Sequence, residues 1–454
     1  MNKYAEIMND IEHKIKTGTY PSGQRLPSVR AAAAHYGCGV GTIVRAYAEL
    51  EKRHALYAMP QSGYYVVHKE KPQAPEASDD TIDFASASPD PDVFPYLDFQ
   101  HCLNKAIDTH KYDLFTYGDS RGLKTLRQTL VSHLANDQVF TRADHMIITS
   151  GVQQALMIVT RMPFPNGKKT ILVEQPSYDI YLRYLEMEHV PVMGIRRSAA
   201  GIDLERLEHL FQDGEIKFFY TMSRHHNPLG LSLSASERKK IAQFAAKYDV
   251  YVVEDDYMAD LAPDSGFDPI YAYDRSSRVI YLKSFSKIIF PGLRIGVAVL
   301  PELLVDSFHL HKKYADIDTS FLSQASLDIY IKNGMYERHK HKIGAMYAER
   351  IAALTEALRP YGGMNVNPDG KGKELPHSGV YKQLPLPSTI NLDRLIKRLQ
   401  KRKISTVAGT GFYLRESMER EKFLRISISR SSAEKIGLGV RAIIEEIKRS
   451  GPGY

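Results

Sequence analysis

The first stretch of the chain carries apolar residues at a helical period. Ile7, Ile11 and Ile15 recur every four residues, which predicts one face of a helix over residues 4–17. Gly18 follows and is expected to end that helix. Because a helix with one apolar face must pack that face against other elements, we expect the first 67 residues to form a compact unit.

Two more helices and a hairpin are predicted before residue 67. Ser28, after Pro27, is a plausible N-cap for a helix that runs to Gly37, and a third helix is predicted over residues 42–53. The β-rich runs ALYAM and YYVV, joined by PQSG, predict a hairpin. Three short helices followed by a hairpin are typical of a winged helix-turn-helix.

The pattern changes after residue 67. Residues 68–80, HKEKPQAPEASDD, contain nothing more apolar than alanine or proline and predict a linker. From residue 81 onward, the β-rich runs MIITSG, TILVEQP, KFFYTMS, VYVVEDD and VIYLKSFS are separated by amphipathic segments such as SASERKKIAQFAAKY. This alternation predicts an α/β domain with a mostly parallel sheet, and such sheets carry their chemistry at the carboxyl ends of the strands.

Composition narrows the class of protein. A chain of 454 residues exceeds the roughly 250–300 residues of one compact core, so several domains are expected. Hydrophobic residues at 43% and charged residues at 25% exclude a mostly disordered chain, a collagen and a coiled-coil rod. The sequence predicts no membrane span and no secretory signal. Cys38 and Cys102 lack CxxC spacing, which argues against a zinc cluster and favours a reducing, cytoplasmic location.

The positive charge is mild but unevenly spread. The formal net charge is +7, and residues 1–68 carry eight Lys or Arg against five Asp or Glu. A basic surplus in a small helical module is compatible with DNA binding. A solvated surface is the more ordinary explanation of the same surplus, so charge alone does not establish DNA binding.

Lys287 is the first candidate for chemistry. It lies in SFSKIIFPGLRIG after a predicted strand, with the hydroxyls of Ser284 and Ser286 beside it. The Pro-Gly turn that follows is expected to fold Arg294 back toward the lysine. A lysine amine beside a phosphate-binding arginine suits a cofactor with an aldehyde and a phosphate arm. Taken alone, the lysine also fits an ordinary surface position.

Other polar and aromatic residues follow the predicted strands in a consistent order. Asp255 ends VYVVED and can pair with the ring nitrogen of a pyridine cofactor. Each candidate alone has a structural explanation, such as a turn or a buried tyrosine. The remaining candidates are Asn227 and Tyr257 for a ring oxygen, Tyr178 for stacking on a flat ring, and the N–H groups of Val152 and Gln153 at a helix start for the phosphate.

The order of these motifs resembles a known family. Residues 82–454 resemble the fold-type I aminotransferases that use pyridoxal 5′-phosphate, and residues 1–67 resemble the GntR winged-helix family through YPSGQRLPSVR, GTIVRAYAEL and SGYYV. The fusion resembles the MocR subfamily of bacterial transcription regulators. It implies a DNA-binding domain at 1–67, a linker at 68–80 and an effector domain at 81–454. That domain would have a large subdomain at about 110–316 and a small one at about 317–454.

The resemblance also implies a role for each residue of the effector site. For the carboxylate of an amino effector, the implied ligand is Arg425, which lies in FLRISISR, and Arg430 is a less favoured alternative. The implied roles are Lys287 as the internal aldimine, Asp255 on the pyridine nitrogen, Asn227 and Tyr257 on the ring oxygen, and Tyr178 on the ring face. Val152, Gln153, Ser284 and Arg294 would bind the phosphate, Arg425 an amino effector's carboxylate, and Tyr117 the cofactor phosphate of the other subunit of a homodimer.

At the other end of the chain, the resemblance implies binding of double-stranded DNA. The helix predicted over residues 42–53 would lie in the major groove, with Arg30 and Arg45 making the main contacts. Ser28 and Thr42 would donate hydroxyls to phosphates, and Gly63 would let the wing approach the minor groove. Without the family pattern, both arginines fit ordinary exposed helix positions.

Three functions remain open from the sequence. The winged helix favours a transcription regulator that senses an amino compound through its cofactor. A working aminotransferase with an accessory DNA-binding domain and a regulator that responds to free pyridoxal phosphate are the alternatives. Departures from the family pattern, SRHH before Asn-Pro, NDQVFTRADHM and MADLAPDSG, leave the effector's identity open.

Overall fold

The protein is described from a computed structural model. The description covers residues 3–21, 23–53, 55–59, 63–67, 81–261, 267–361, 379–418 and 420–450. The predicted linker 68–80 and residues 60–62 of the predicted hairpin turn lie outside these ranges. The chain divides into two compact units, one of Met1–Ala77, Pro95–Tyr112 and Ala325–Tyr336, the other of Ser78–Phe94, Asp113–Gln324 and Glu337–Tyr454. The predicted domain boundaries remain a prediction.

Helices and short strands alternate along most of the chain. Among the described residues, no helix combines the length and apolar character needed to cross a membrane. The helices are α1 Lys3–Lys16, α2 Val29–Tyr36, α3 Val40–Lys52, α4 Tyr96–Thr109, α5 Lys124–Ala135, α6 Val152–Arg161, α7 Asp179–Met187, α8 Leu204–Asp213, α9 Ala235–Lys247, α10 Ile270–Tyr273, α11 Glu302–Asp316, α12 Phe321–Lys332, α13 Met335–Leu358, α14 Leu392–Lys401 and α15 Ala433–Ser450. The strands are β1 Leu56–Met59, β2 Gly63–Val66, β3 Ile82–Asp83, β4 Met146–Thr149, β5 Thr170–Gln175, β6 Val192–Ser198, β7 Gly201–Ile202, β8 Ile216–Thr221, β9 Tyr251–Asp255, β10 Val279–Ser284, β11 Gly296–Val299, β12 Tyr381–Pro385, β13 Ile404–Ser405, β14 Val407–Ala408 and β15 Phe423–Ser427.

The amino-terminal residues form the predicted three helices and hairpin. Ser28 caps α2 by accepting the backbone N–H of Ala31, and Gly37 ends the helix in the left-handed conformation. The strands β1 and β2 pair antiparallel, as expected. Helix α3 begins at Val40 rather than at Thr42, because the extended Gly39 is its N-cap. The core of this domain includes Ile7, Ile11, Ile43, Tyr47, Leu50, Leu56 and Val66.

The second unit contains an eight-stranded sheet in the order β4-β11-β10-β9-β8-β5-β6-β7. The central strands β10, β9, β8, β5 and β6 run parallel, which confirms the predicted mostly parallel sheet. The β11 strand lies antiparallel between β10 and β4. The five predicted strand motifs are all strands, and their carboxyl ends carry the candidate site residues.

A smaller sheet belongs to the carboxyl-terminal part of the same unit. Its strands have the order β12-β15-β14, and all neighbours are antiparallel. The strand β3, directly after the predicted linker in sequence, pairs parallel with β13. Residues 82–83 are therefore tied to a strand more than 300 residues away in sequence.

Candidate functional site

Lys287 follows β10 and has a hydrogen-bonding partner within the chain. Its Nζ donates to the backbone carbonyl of Ala87 at 2.6 Å. Burial and the positive charge of Arg425 lower the pKa of Lys287 to about 8, and the negative charge of Asp255 opposes that shift. A lowered amine pKa means that a larger share of the side chain is neutral and nucleophilic at physiological pH.

Asp255 ends β9 and is held by a neighbouring strand. The hydroxyl of Tyr220 donates to Oδ2 at 2.9 Å, whereas Oδ1 is buried without a hydrogen-bond partner. Burial raises the pKa of Asp255 to about 7, against the effect of the Tyr220 hydrogen bond. Tyr220 was not predicted as a site residue. The two-residue period of strands is the signal that could have found it. Tyr220 pairs with Val253, and Asp255 lies two residues further along β9 on the same face of the sheet.

The predicted phosphate turn lies at the start of α6. Gly151 is its N-cap at φ 87°, and Val152 and Gln153 are the first helical residues. Arg294 donates from Nη2 to the carbonyl of Ser150 at 2.9 Å, so its guanidinium reaches this turn. A Cβ on Gly151 would lie 2.8 Å from the Arg294 Nη2, which explains why the close approach requires glycine here.

Two side chains of the distant helix α11, Asp316 and Lys312, brace the phosphate turn. Asp316, at the end of α11, accepts from the Ser150 hydroxyl at 2.9 Å and from Gln154 Nε2 at 2.7 Å. Its other oxygen accepts from Lys312 at 2.8 Å. The sequence offered no local signal for this contact, because Asp316 lies far from the turn in the chain.

Arg425 lies in β15 and is buried. Its Nη1 donates to Asn227 Oδ1 at 3.4 Å, and its Nη2 donates to the carbonyl of Ala85. The guanidinium lies 4.8 Å from the centre of the Tyr381 ring and 5.3 Å from that of Phe412. Its Nε is buried without a hydrogen-bond partner. The structure thus brings Arg425 and Asn227 together, as the predicted site requires.

Arg430 and Tyr117 both lie at the surface of the unit. Arg430, the alternative carboxylate ligand, is exposed, whereas Arg425 is buried. The Tyr117 side chain is 82% exposed. Exposure suits a residue that acts on a partner subunit and leaves its role a prediction.

The remaining predicted ring and phosphate ligands lie near the same strand ends. Tyr257 is buried, and its hydroxyl donates to the His225 carbonyl at 2.6 Å. Tyr178 is half-buried at the start of α7, and burial together with the charge of Asp255 raises its pKa. The Ser284 hydroxyl accepts the backbone N–H of Ser286 at 3.2 Å.

The unusual SRHH segment is buried, and two of its side chains lie beside carboxylates. Arg224 donates to Asp256 at 2.5 Å, and His226 Nε2 lies 3.2 Å from Glu174. Both acids lie at or next to the ends of central strands. The segment before Asn227 is therefore held by the Arg224–Asp256 charge pair and by the contact of His226 with Glu174, and this buried network was not predicted from the sequence.

The predicted DNA-binding residues lie on the amino-terminal domain. Arg30 and Arg45 are exposed, as is the Ser28 side chain. The Arg45 guanidinium lies 4.4 Å from the centre of the Tyr4 ring, a contact the sequence did not predict. Thr42 lies in the first turn of α3, and Gly63 begins β2 at φ 107°, beside the Arg25 side chain.

The residues of the effector site fit pyridoxal 5′-phosphate. The buried, unpartnered Oδ1 of Asp255 can accept a pyridinium N–H, and the start of α6 with Arg294 offers donors to a phosphate. Lys287 supplies an amine of lowered pKa between them.

Comparison with known proteins agrees with this geometry. The family "Aminotransferase class I and II" matches residues 82–443, and "Bacterial regulatory proteins, gntR family" matches residues 3–66. The uncharacterized HTH-type transcriptional regulator YcxD of Bacillus subtilis is 47% identical over 451 residues, 98% of this chain and 100% of the relative.

Solved structures match the aminotransferase half. A multiple substrate aminotransferase from Thermococcus profundus has a TM-score of 0.73 at 28% identity and covers 83% of this chain and 93% of its own. A Pyrococcus horikoshii kynurenine aminotransferase, solved in complex with PMP, matches at the same TM-score, identity and coverage. These matches support the predicted cofactor, pyridoxal 5′-phosphate. The chain belongs to the class I and II aminotransferase family and, with its GntR-family DNA-binding region, has the architecture of the MocR transcription regulators.

Proposed function

We propose that this protein is a cytoplasmic, homodimeric transcription regulator that binds pyridoxal 5′-phosphate and senses an amino compound with a carboxylate. One observation carries the proposal. Lys287 and Arg425 donate to backbone carbonyls two residues apart, and the charge of Asp255 acts on Lys287, in a chain that also carries a GntR-family domain. An enzyme needs no winged helix, whereas a sensor needs both halves.

Different residues of the chain would hold different parts of the cofactor. When bound, pyridoxal phosphate supplies an aldehyde carbon and an electron-withdrawing ring. Lys287 Nζ would bond to that carbon, and Asp255 would keep a proton on the ring nitrogen. Arg294 and the N–H groups of Val152 and Gln153 would hold the phosphate, since a helix start favours negative charge.

Arg425 is the residue proposed to select effectors with a carboxylate. Its guanidinium is buried beside Tyr381 and Phe412, and Nε has no hydrogen-bond partner in the chain. A carboxylate on Nε and Nη2 forms a two-pronged, charge-assisted pair. Burial strengthens that pair because water is excluded from it.

The DNA-binding half is proposed to read an operator through α3. Arg45 and Arg30 are exposed, so they can reach base edges or phosphates. Ser28 and Thr42 would donate to phosphates, with Gly63 at the wing.

Dimerisation is proposed through the aminotransferase half. Tyr117 is almost fully exposed, although tyrosine carries a large apolar ring, and it would reach the partner's cofactor phosphate. We expect a dimer at micromolar concentration in sedimentation velocity. A monomer under those conditions would contradict this part of the proposal.

The proposal is tested with DNA and amino acids in one system. A duplex is first selected from a random-sequence pool by the purified holoprotein. A panel of amino acids is then titrated while DNA affinity and visible cofactor absorbance are followed. We expect some amino acids to change both signals together. A change in DNA affinity with free pyridoxal phosphate alone would instead favour a vitamin B6 sensor.

A working aminotransferase is the second candidate, because Lys287, Asp255 and Arg425 are all present. Steady-state transamination over the same panel separates the two functions. We expect little or no net turnover, since a sensor gains from retaining its ligand. Turnover of many amino acids at roughly 1–10³ per second would establish the enzyme instead.

A further inference from the structure

Two backbone carbonyls of one short segment accept hydrogen bonds from Lys287 and Arg425, two of the cations of the effector site. Lys287 Nζ donates to Ala87 at 2.6 Å, and Arg425 Nη2 donates to Ala85. Residues 83–87, called the strap below, follow the predicted linker 68–80 after only two residues. The strap therefore joins the effector site to the chain that leads to the DNA-binding domain.

The strap is fixed by its own hydrogen bonds. Asp83 Oδ1 accepts the backbone N–H groups of Ala85 and Ser86, both at 2.9 Å. The buried Phe84 donates to the Ser405 carbonyl at 2.9 Å and accepts from the Ser427 N–H at 2.9 Å. These bonds aim the Ala85 carbonyl at Arg425, which is two residues from Ser427 on β15.

A carboxylate and the strap compete for the same edge of Arg425. A side-on carboxylate uses Nε and Nη2 of a guanidinium together. Nε is buried without a partner, whereas Nη2 is bonded to Ala85. Because a carboxylate is a stronger acceptor than a neutral carbonyl, its binding displaces the Ala85 carbonyl.

The Lys287 contact changes in the opposite sense. While the lysine nitrogen is bonded to the cofactor's aldehyde carbon, it no longer donates to Ala87 as a free amine. An effector amine would add to that carbon. As its C=N bond formed and the bond to Lys287 broke, the two hydrogens of the effector's amine would pass to the departing Lys287 nitrogen. No oxidant or reductant is needed, and Lys287 regains an amine that can donate to Ala87.

We propose, resting on the function above, that the strap is a latch that carries effector binding to the linker. Before effector binding, Arg425 holds the strap at Ala85. Afterwards the effector holds Arg425, and Lys287 holds the strap at Ala87. A ligand shifts such an equilibrium only through differential contacts, and this exchange supplies them.

Two small amines, one with and one without a carboxylate, test the contribution of the effector's carboxylate. Aminooxyacetate and methoxyamine both replace Lys287 on the cofactor by the same C=N exchange, but only aminooxyacetate carries a carboxylate for Arg425. Hydrogen–deuterium exchange of the holoprotein is followed at the amides of residues 84–86. We expect aminooxyacetate to speed exchange at least about threefold, since it alone frees the Ala85 carbonyl, and methoxyamine not to speed it, since Arg425 then still holds Ala85.

Variants of Asp83 test the strap itself. Asp83→Ala removes the acceptor of two strap N–H groups, so we expect fast exchange that no probe changes further and a lost DNA response. Asp83→Asn keeps a side-chain oxygen acceptor and should retain the response. Asp203→Ala is the matched control, because Asp203 caps α8 through the Arg206 N–H instead.

The outcomes separate the latch from the function on which it rests. If both probes change the absorbance fully while exchange at residues 84–86 stays constant, the latch is refuted and the cofactor site stands. If neither probe changes the absorbance, the proposed cofactor chemistry fails and the latch fails with it.

Discussion

The effector site and the DNA-binding domain hold their arginines in different ways. Arg425 is buried and bonded to Ala85 and Asn227, whereas Arg30 and Arg45 are exposed. A buried charge needs hydrogen bonds within the chain, so a carboxylate that takes Nη2 of Arg425 competes with the Ala85 carbonyl. An exposed arginine meets a polyanion with little internal competition. The first arrangement suits a switch, and the second suits salt-dependent affinity.

The largest expected effect is the loss of covalent cofactor binding in Lys287→Ala. The pKa of Lys287 is lowered, and the negative charge of Asp255 acts on its amine. Lys287 is therefore the expected site of attachment. After borohydride reduction, the wild type should carry a phosphopyridoxyl group on the peptide with Lys287, and the variant none. Lys382→Ala is the matched control, since burial also lowers the pKa of Lys382. An unchanged reducible adduct in Lys287→Ala would refute the assignment.

Arg425→Ala should slow reaction with aminooxyacetate by about tenfold or more, as expected for loss of a charge-assisted pair. Reaction with methoxyamine should stay within about twofold, because that probe has no carboxylate. The second-order rate constants are measured by stopped-flow absorbance. Arg430→Ala, at the exposed neighbour, should match the wild type. Equal slowing with both probes would show that Arg425 acts on the cofactor and not on the carboxylate.

Arg45→Ala should weaken binding to the selected duplex by about 1–3 kcal/mol, roughly five- to hundredfold, while cofactor absorbance is unchanged. A phosphate contact would also reduce the salt slope by about one unit, whereas a base contact would relax specificity at one position. Arg53→Ala is the control. Arg53 caps the carboxyl end of the same helix, and its guanidinium pairs with Glu12 at 3.4 Å. Unaltered affinity in Arg45→Ala would remove this residue from the interface.

Cofactor loading should depend on pH through Lys287. Below a pKa of about 8 the amine is increasingly protonated and cannot attack the aldehyde, so the loading rate falls as pH falls. We expect about a fivefold rise from pH 7 to pH 8 and a plateau above about pH 9. Because the charge of Arg425 lowers this pKa, Arg425→Ala should move the midpoint upward. A midpoint that moves downward would contradict the assigned cause.

The smallest expected effect concerns the amino-terminal domain. Ser28→Ala removes the hydroxyl that accepts the Ala31 N–H, and loss of such a cap costs about 0.5–2 kcal/mol of unfolding free energy. Denaturant unfolding followed by far-UV circular dichroism measures the change. Thr129→Ala is the control, since its hydroxyl donates to the Thr125 carbonyl within α5 rather than capping a helix.

Sequence patterns predicted the elements because periodicity and caps act locally. Ser28 and Gly37 bound α2 as expected, and the five predicted strand motifs are strands. The start of α3 was two residues off, because a glycine N-cap carries no side-chain signal. The order of motifs in a parallel sheet predicted a common site for Lys287 and Asp255, and the resemblance to the aminotransferases added Arg425, which lies in the small antiparallel sheet.

The contacts that tune the site were not predictable in the same way. Tyr220 reaches Asp255 through strand register, and Asp316 reaches the phosphate turn from a distant helix. The Ala85 and Ala87 carbonyls give no sequence signal, because every residue has one. Such contacts follow from tertiary packing, and only the structure reveals them.

The most direct test of the central claim is one DNA titration. Fluorescence anisotropy measures the affinity for the selected duplex of the untreated holoprotein and of the holoprotein treated with aminooxyacetate or with methoxyamine. Absorbance first shows that each probe has reacted completely with the cofactor. The account predicts at least about a threefold change in affinity with aminooxyacetate and none with methoxyamine, because only the carboxylate engages Arg425. Unchanged affinity with aminooxyacetate, at full reaction of the cofactor, would contradict the claim that this site controls DNA binding.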